Sequence, residues 1–203
     1  MPERNRVTPY GDIVVANERG TFMGNRGCLH KNHDIVRQWN GKRWITCVLE
    51  FRGWQAPRWE PGRYTALFFY DEAVAFAAGH RPCAECRHAD YERYRDAWEA
   101  AFGTRLGADD MDARLHADRL DGRSKRFHVR PWRDLPDGTF VDVDGLPALV
   151  TGDELRPWVS ASGYRAPVRR PTTGISNIIT PASNVEVLRA GYVVEVSPAG
   201  AAT

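Results

Sequence analysis

Two cysteines separated by two residues, Cys83 and Cys86, are the pair with the clearest chemical potential in this sequence. Two thiolates at this spacing can bind one metal ion from a single turn, and zinc in structural sites takes four ligands in a tetrahedron. Pro82 stiffens the turn before the pair, and a predicted helix begins just after it, so the positive end of the helix dipole favours the thiolate form. The pair is therefore predicted to form half of a structural site for one Zn²⁺ ion.

Several residues can supply the other half of this site. Cys47 is the preferred third ligand because it lies within an otherwise apolar run, although free cysteine is also common in protein cores. Cys28 follows a glycine-rich loop and is the preferred fourth ligand, with His30 and His80 as alternatives of suitable chemistry. Two other interpretations remain open: a thioredoxin-like redox pair, which would be expected after the first strand of a βαβ unit, and four unrelated core cysteines.

Composition sets the class of protein to which this site belongs. Of the 203 residues, 42% are hydrophobic and 11% are aromatic, which is enough to bury a core without disulfides. No run approaches the ~20 apolar residues that cross a bilayer, and the polar N-terminal segment lacks the features of a signal peptide. We therefore expect a cytoplasmic protein with no membrane partner, in which the cysteines are thiols or metal ligands.

Positive charge is unevenly distributed, although the formal net charge is only +2. The segment from Gly122 to Arg133 contains five basic residues and no acidic one, and the first sixty residues carry an excess of Arg and Lys. Such clusters can contact nucleic-acid phosphates, whereas a solvated face with arginines stacked on aromatic rings is the simpler explanation. The residues predicted to contact nucleic acid are Arg26, Arg43, Arg52, Arg81, Arg87, Lys125, Arg126 and Arg130.

The elements predicted around the cysteines are short helices and strands. The run 71–79 has an Asp cap, good helix formers and a terminal Gly, which predicts a short helix. Aromatic residues at spacings of three and four predict a second helix over 87–102 with a buried stripe. A third helix is expected over 109–120, where acidic early turns complement the helix dipole. Strands are predicted at 13–16, 44–51 and 63–69, with Cys47 in the middle of the second.

The character of the sequence changes after about residue 120. Pro and Gly interrupt short apolar runs, and one small helix is expected over 182–190. We therefore predict an α+β fold with a zinc-bearing module over 1–120 and a β-rich module over 121–203, with the option that both share one core. The strands of the second part are predicted at 139–143, 148–150 and 192–196, and disorder is expected over 198–203.

The run from Phe68 to Arg87 resembles the second half of the metal-binding domain of Ada-type DNA alkylation-repair proteins. In that family a helix ending in Ala-Ala-Gly leads into an aromatic-Arg-Pro-Cys-x-x-Cys-Arg turn, and here the sequence runs AAGHRPCAECR. The resemblance covers about twenty residues. It implies a small zinc-bearing α/β module, zinc ligation by Cys83 and Cys86, a further ligand at Cys47, and contact with DNA phosphates.

The chain departs from that family at the earlier pair of cysteines. The first two cysteines of the family are separated by three residues, whereas the position four residues after Cys47 is Phe51 and Cys28 lies far upstream. In the family one ligand cysteine accepts a methyl group from a damaged phosphotriester. Because the pairing differs here, this methyl transfer is not expected of Cys47.

Two further groups of residues have chemical potential. The loop Met23–His30 is rich in Gly and contains Arg26, so its backbone N–H groups can contact a phosphate, although tight turns explain the glycines equally well. His116, Lys125 and His128 lie near two aspartates in the sequence and can supply a general base and a cationic stabiliser. Positions near solvent for both histidines are the simpler interpretation.

Three functions compete on these observations. The first is a zinc-stabilised nucleic-acid-binding protein, linked to DNA repair or processing, with DNA preferred over RNA as its partner. The second is a nuclease-like enzyme that processes nucleic acid, in which the zinc is structural and His116, Lys125 and His128 are the catalytic candidates. The third is a protein-interaction module that presents an aromatic surface.

Overall fold

The computed structural model describes residues 2–198 and shows a mixed α+β fold within them. The N-terminal part forms a sheet of six strands, and the C-terminal part forms a sheet of seven. Between residues 2 and 198 no helix is both long enough and apolar enough to span a membrane. Of the segment 198–203, for which disorder is expected, all but Pro198 lies outside the described residues.

The N-terminal sheet consists of short strands in which distant parts of the chain become neighbours. Its spatial order is β10-β6-β3-β9-β1-β2, with β10 parallel to β6, β1 parallel to β9, and the other pairs antiparallel. Two small hairpins, β4 with β5 and β7 with β8, extend from it. In chain order these strands are β1 (Arg4–Val7), β2 (Ile13–Val15), β3 (Phe22–Asn25), β4 (His30–Lys31), β5 (Asp34–Ile35), β6 (Ile45–Cys47), β7 (Glu50–Phe51), β8 (Trp54–Gln55), β9 (Leu67–Phe69) and β10 (Arg81–Pro82).

The C-terminal sheet is antiparallel and begins after one more small hairpin, β11 with β12. Its order is β13-β19-β14-β15-β16-β17, and β18 pairs with β16 beside that path. A 3₁₀ turn, Trp132–Asp134, follows the first strand of this sheet. The strands are β11 (Leu120–Asp121), β12 (Ser124–Lys125), β13 (His128–Pro131), β14 (Phe140–Val143), β15 (Leu146–Thr151), β16 (Glu154–Val159), β17 (Gly163–Tyr164), β18 (Val168–Arg169) and β19 (Ile175–Ile178).

All four predicted helices are confirmed, with ends that differ by at most one residue. The first is limited by local capping: the Asp71 side chain accepts a hydrogen bond from the backbone N–H of Val74 at 2.9 Å, and Gly79 adopts the left-handed conformation at its end. The second ends in the same way at Gly103. The helices are α1 (Glu72–Ala78), α2 (His88–Phe102), α3 (Ala108–Arg119) and α4 (Ala182–Arg189).

Two of the strand predictions are wrong, and a third, 63–69, is too long, because β9 covers only Leu67–Phe69. The run 44–51 is not one strand: β6 ends at Cys47, where its ladder with β3 ends. Its ladder with β10 ends one residue earlier, at Thr46, opposite Pro82, and the cysteine turn, residues 83–86, follows Pro82. The chain then turns and forms the separate hairpin β7–β8. The run 192–196 is not a strand either. It lies against the start of α1, where the backbone N–H of Glu195 donates to the Glu72 carboxylate at 2.9 Å.

One cluster of buried side chains extends across both parts of the chain. Phe76 of α1 stacks on Tyr192, with ring centres 5.1 Å apart. The hydroxyl group of Tyr94 in α2 donates to the amide oxygen of Asn184 in α4 at 2.9 Å. The predicted boundary near residue 120 therefore separates two sheets, and the helices join these sheets around a common core.

Candidate metal centre

The sulfur atoms of Cys47, Cys83 and Cys86 lie within 4.8 Å of one another. Cys47 is the last residue of β6, and Cys83 directly follows β10, the parallel strand beside it. The backbone N–H of Cys83 donates to the carbonyl oxygen of Thr46 at 2.9 Å and fixes the turn against that strand. Two neighbouring strand ends thus bring together residues that are far apart in the sequence.

Each of these thiols changes the proton affinity of the others. Hydrogen bonding to the sulfur atoms of Cys83 and Cys86, together with burial, raises the pKa of Cys47. The contacts with Cys47 and Cys86 lower the pKa of Cys83, and the backbone N–H groups of Cys86 and Glu85 act in the same direction. Three thiolates at this separation repel one another, so a bound cation is what would stabilise the fully deprotonated group.

This donor set fits a thiophilic metal ion. Soft thiolate ligands select zinc, copper(I) or iron–sulfur clusters over hard cations such as magnesium. In a tetrahedral zinc site with Zn–S distances of about 2.3 Å, the sulfur atoms are roughly 3.8 Å apart, which is within the observed limit. Cys47, Cys83 and Cys86 are the residues that would hold the ion. Bound to all three, the ion would cross-link the end of β6 to the turn before α2.

The predicted fourth ligand, Cys28, is not a member of this group, which corrects the expected set of four cysteines. Its sulfur lies 3.9 Å from the carbonyl oxygen of His30, in the loop after β3. The His30 ring hydrogen-bonds to the hydroxyl group of Thr65 at 2.7 Å, and buried His80 accepts a hydrogen bond from Arg26 at 3.3 Å. Both alternative histidines therefore have other partners, and the group within residues 2–198 consists of three cysteines.

The three cysteines line one side of a cleft of about 480 Å³. The hairpin β7–β8 contributes Phe51, Arg52 and Trp54 to the same cleft, and 51% of Trp54 is exposed. The Arg52 guanidinium lies 4.9 Å from the centre of the Phe51 ring. Arg52 and Gly53 both have positive φ, at 54° and 76°, which is the conformation required at the centre of a tight hairpin turn. The cleft therefore combines thiols, aromatic surface, one exposed cation and one exposed carboxylate, that of Glu85.

No protein-family model matches the chain. No curated protein and no solved structure matches it either. The resemblance to the Ada-type metal-binding domain therefore rests on residues 68–87 alone, and any function has to be argued from the geometry of the molecule.

Sequence reasoning did not single out the aromatic wall of this cleft. Phe51, Trp54 and Tyr64 line it, yet none of them lies close to Cys83 in the sequence. The run Phe-Arg-Gly-Trp is the sequence pattern that indicates Phe51 and Trp54. A glycine at that place marks a two-residue hairpin turn, and such a turn would have divided the run that was predicted as one strand.

Two of the predicted phosphate contacts are corrected by their burial. Arg81 binds Asp112 through two hydrogen bonds of 2.9 and 2.7 Å, and both side chains are 2% exposed. Arg87 binds Glu72 at 2.7 Å, with both side chains 3% exposed. These carboxylates neutralise the two guanidinium groups, and the burial of each pair keeps it away from a ligand at the surface. Arg81 and Arg87 hold the fold together and do not face a surface ligand.

The other predicted contacts have different environments. Arg43 and Arg130 each bind a carboxylate of the chain, at 2.9 and 2.5 Å. Arg126 is exposed and donates to the carbonyl oxygen of Leu120 at 2.9 Å. Only Arg52 lies at the cysteine cleft, whereas Arg26 and Lys125 line a second cavity close to the end of α1. The structure therefore does not gather these residues on one face around the cysteines.

The three catalytic candidates have different hydrogen-bond partners. Nδ1 of His116 accepts a hydrogen bond from Arg119 at 2.9 Å, and burial followed by the charge of Arg119 lowers the pKa of His116. Nε2 of His128 lies 3.0 Å from the carbonyl oxygen of Asp118. The Lys125 ammonium donates to a backbone carbonyl of α1. None of these contacts orients one candidate toward another, so they do not describe a general base beside its stabiliser.

Proposed function

We propose that the protein binds one zinc ion through Cys47, Cys83 and Cys86 and binds single-stranded nucleic acid, with DNA preferred over RNA, in the cleft beside that ion. The observation that supports the proposal is the position of Trp54 and Arg52 at the cleft that the cysteines line. Exposed aromatic rings stack with bases of any sequence, and arginine attracts the backbone phosphates. The Ada-type resemblance over residues 68–87 is the reason for placing DNA before RNA.

In this proposal the zinc ion stabilises the walls of the cleft. The cleft is walled by the end of β6, the cysteine turn and the hairpin β7–β8, which have only short ladders of their own. Bound metal would hold the end of β6 and the cysteine turn in a fixed position relative to each other. With three protein ligands, zinc keeps one coordination position for water or for an atom of the ligand.

The proposal is tested by fluorescence anisotropy with a labelled single strand of about 12 nucleotides, as DNA and as RNA, over a series of salt concentrations. Affinity for the DNA strand is expected to fall linearly with salt on a logarithmic scale. Trp54→Ala should weaken binding by about tenfold or more through lost stacking, and Trp54→Phe should retain most of the affinity. Absence of binding at low salt, or equal affinities for wild type and Trp54→Ala, would refute the proposal.

Arginine variants provide a matched comparison of charge. Arg52→Gln should reduce the salt dependence by about one phosphate contact. Arg169→Gln removes the same charge from an exposed position on β18, in the C-terminal sheet, and should leave both affinity and salt dependence unchanged. If both variants weaken binding equally, the protein attracts nucleic acid only through its overall charge.

A further inference from the structure

Four basic residues line a second cavity of about 410 Å³. Arg123 is exposed, whereas Arg26, Arg119 and Lys125 form a cluster of three buried or half-buried cations. Arg26 and Arg119 are each 1% exposed, and their guanidinium groups lie 4.0 and 3.9 Å from the centre of the Trp44 ring. Lys125 reaches the cavity from β12. The cavity shares no lining residue with the cysteine cleft, so it is a separate feature of the molecule.

The charges of this cluster lack a carboxylate partner. Within residues 2–198 no carboxylate oxygen lies within 4.0 Å of a side-chain nitrogen of the three. Asp12 lines the cavity without pairing with them, and Asp112 is already bound to Arg81. Such a cluster differs from the other buried arginines, Arg81 and Arg87, each of which has an acidic partner.

Burial lowers the pKa values of the three basic side chains, and repulsion within the cluster lowers two of them further. Burial lowers the pKa of Arg26 to about 9, and burial followed by repulsion from Arg26 lowers the pKa of Arg119 to about 9. Burial and then repulsion from both arginines lower the pKa of Lys125. An anion placed among the three groups would reverse these effects, because it would attract all of them.

Backbone carbonyl groups orient the three cations without neutralising them. Arg26 donates to Gly11 at 2.8 Å, Arg119 donates to Gly79 at 2.8 Å, and Lys125 donates to Ala77. The last two acceptors are at the C-terminal end of α1, where the helix dipole amounts to only about half a negative charge. Two buried donor atoms, Nη2 of Arg26 and Nε of Arg119, have no hydrogen-bond partner.

We propose that this cavity is a binding site for a phosphate group. A phosphate offers the negative charge that the three cations lack, and its oxygens accept charge-assisted hydrogen bonds from guanidinium and ammonium donors. Trp39 is half-buried and lines the same cavity, so a base attached to the phosphate can stack on it. Two sources carry this chemistry: a free nucleoside monophosphate and the 5′-phosphate at the end of a nucleic acid.

The test is the thermal unfolding of the full chain in sodium chloride and in sodium phosphate at equal ionic strength. Binding to the folded state should raise the wild-type Tm in a saturable way, on the order of 5 °C at a hundredfold excess over Kd. Lys125→Met removes one charge of the cavity and should abolish the rise. Arg126→Met removes the neighbouring charge, which lies outside the cavity lining, and should preserve it.

General stabilisation by phosphate salts acts on every variant and is thereby separated from binding. If phosphate leaves the wild-type Tm unchanged, or raises the Tm of Lys125→Met as much as that of the wild type, the proposal is overturned. Equilibrium dialysis of labelled phosphate against the wild type needs no variant. Saturation at one phosphate per chain is expected, and no saturable binding would contradict the site even if Lys125→Met failed to fold.

The source of the phosphate is decided by three further ligands. Adenosine 5′-monophosphate, a short strand with a 5′-phosphate and the same strand with a 5′-hydroxyl group are compared in the same unfolding assay. A rise with the first ligand alone identifies a nucleotide site, and a rise that depends on the 5′-phosphate of the strand identifies an end-binding site. The cysteine cleft is assayed separately with the 5′-hydroxyl strand and Trp54→Ala, so either proposal can fail without the other.

Discussion

At the scale of single residues, the buried arginines of this protein differ in what balances their charge. Arg81 and Arg87 bind carboxylates that are themselves buried, so the charge of each guanidinium is balanced by a buried counter-charge. Arg26 and Arg119 are equally buried, yet their partners are two histidines, His80 and His116, and backbone carbonyls. Burial alone therefore does not determine the role of an arginine here; its partner does. The paired arginines stabilise the fold, and the unpaired ones have capacity left for a ligand.

The Arg81–Asp112 contact leads to a prediction about stability. Asp112→Ala leaves the Arg81 guanidinium buried without its two hydrogen bonds and its counter-charge. Breaking a buried pair in this way costs about 3–5 kcal/mol, more than replacing both partners. The free energy of unfolding should fall by that amount in urea titrations followed by circular dichroism.

An exposed ion pair on the same helix serves as the control. Arg43 binds Asp109 at 2.9 Å, but their side chains are 65% and 82% exposed. Since water screens exposed pairs, Asp109→Ala should change the free energy of unfolding by about 1 kcal/mol or less. Similar losses for both variants would show that burial does not distinguish the two contacts.

The cysteines show which members of the metal centre can be predicted from the sequence. The prediction that Cys47 lies beside Cys83 and Cys86 is confirmed. The prediction of Cys28 is wrong because no local pattern indicates which loop ends beside a given strand. The result depends on the pairing of β6 with β10, two strands separated by more than thirty residues.

At the scale of elements, helices could be predicted and many strands could not. The limits of α1 are local, since Asp71 and Gly79 cap it through contacts within one turn. A strand ends where its neighbour ends, and that neighbour can lie anywhere in the chain. Residues 44–51 have a continuous strand pattern, yet the ladders of β6 with β3 and β10 go no further than Cys47, and Glu50–Phe51 pair with β8 instead of continuing in the sheet.

The cap of α1 leads to a prediction about pH. Asp71 is fully buried, and burial raises its pKa from 3.8 to about 6 despite hydrogen bonds from Val74, Ser197 and Tyr164. The folded protein therefore binds a proton that the unfolded chain releases between about pH 4 and pH 6. The free energy of unfolding should fall as pH rises through this window, with a contribution of about 3 kcal/mol from this group.

Asp71→Asn isolates that contribution, because asparagine is also a good N-cap but does not titrate. Urea unfolding of both proteins at several pH values between 4 and 7 should give curves of stability against pH that are steeper for the wild type. Parallel curves would mean that the pKa of Asp71 is the same in the folded and unfolded states.

At the scale of the whole molecule, the two sheets depend on each other. The sequence indicated a change of character near residue 120, and the sheets do divide there. It did not indicate that Tyr164 and Tyr192 would return to α1, where Tyr164 donates to Asp71 and Tyr192 donates to Glu72, each at 2.8 Å. No local pattern around either tyrosine indicates its partner, so their contacts with α1 are apparent only in the folded chain.

This shared core predicts a single cooperative unit. The fragment 1–120 would expose Phe76 and leave the buried carboxylates Asp71 and Glu72 without their tyrosine partners. It should therefore show no cooperative urea transition and little near-ultraviolet circular dichroism. The full chain should unfold in one transition, with the same midpoint by tryptophan fluorescence and far-ultraviolet circular dichroism. A cooperative transition of the fragment would establish two independent domains instead.

The metal content of the purified protein tests the central claim most directly. Protein prepared without added metal should contain one zinc ion per chain when its metal content is measured by inductively coupled plasma mass spectrometry. Cys83→Ser should lose most of the zinc, because two thiolates cannot replace three. Cys28→Ser, which alters the cysteine outside the group, should retain the full amount. A folded wild-type protein that contains no metal, or equal loss of zinc from both variants, would contradict the three-cysteine centre.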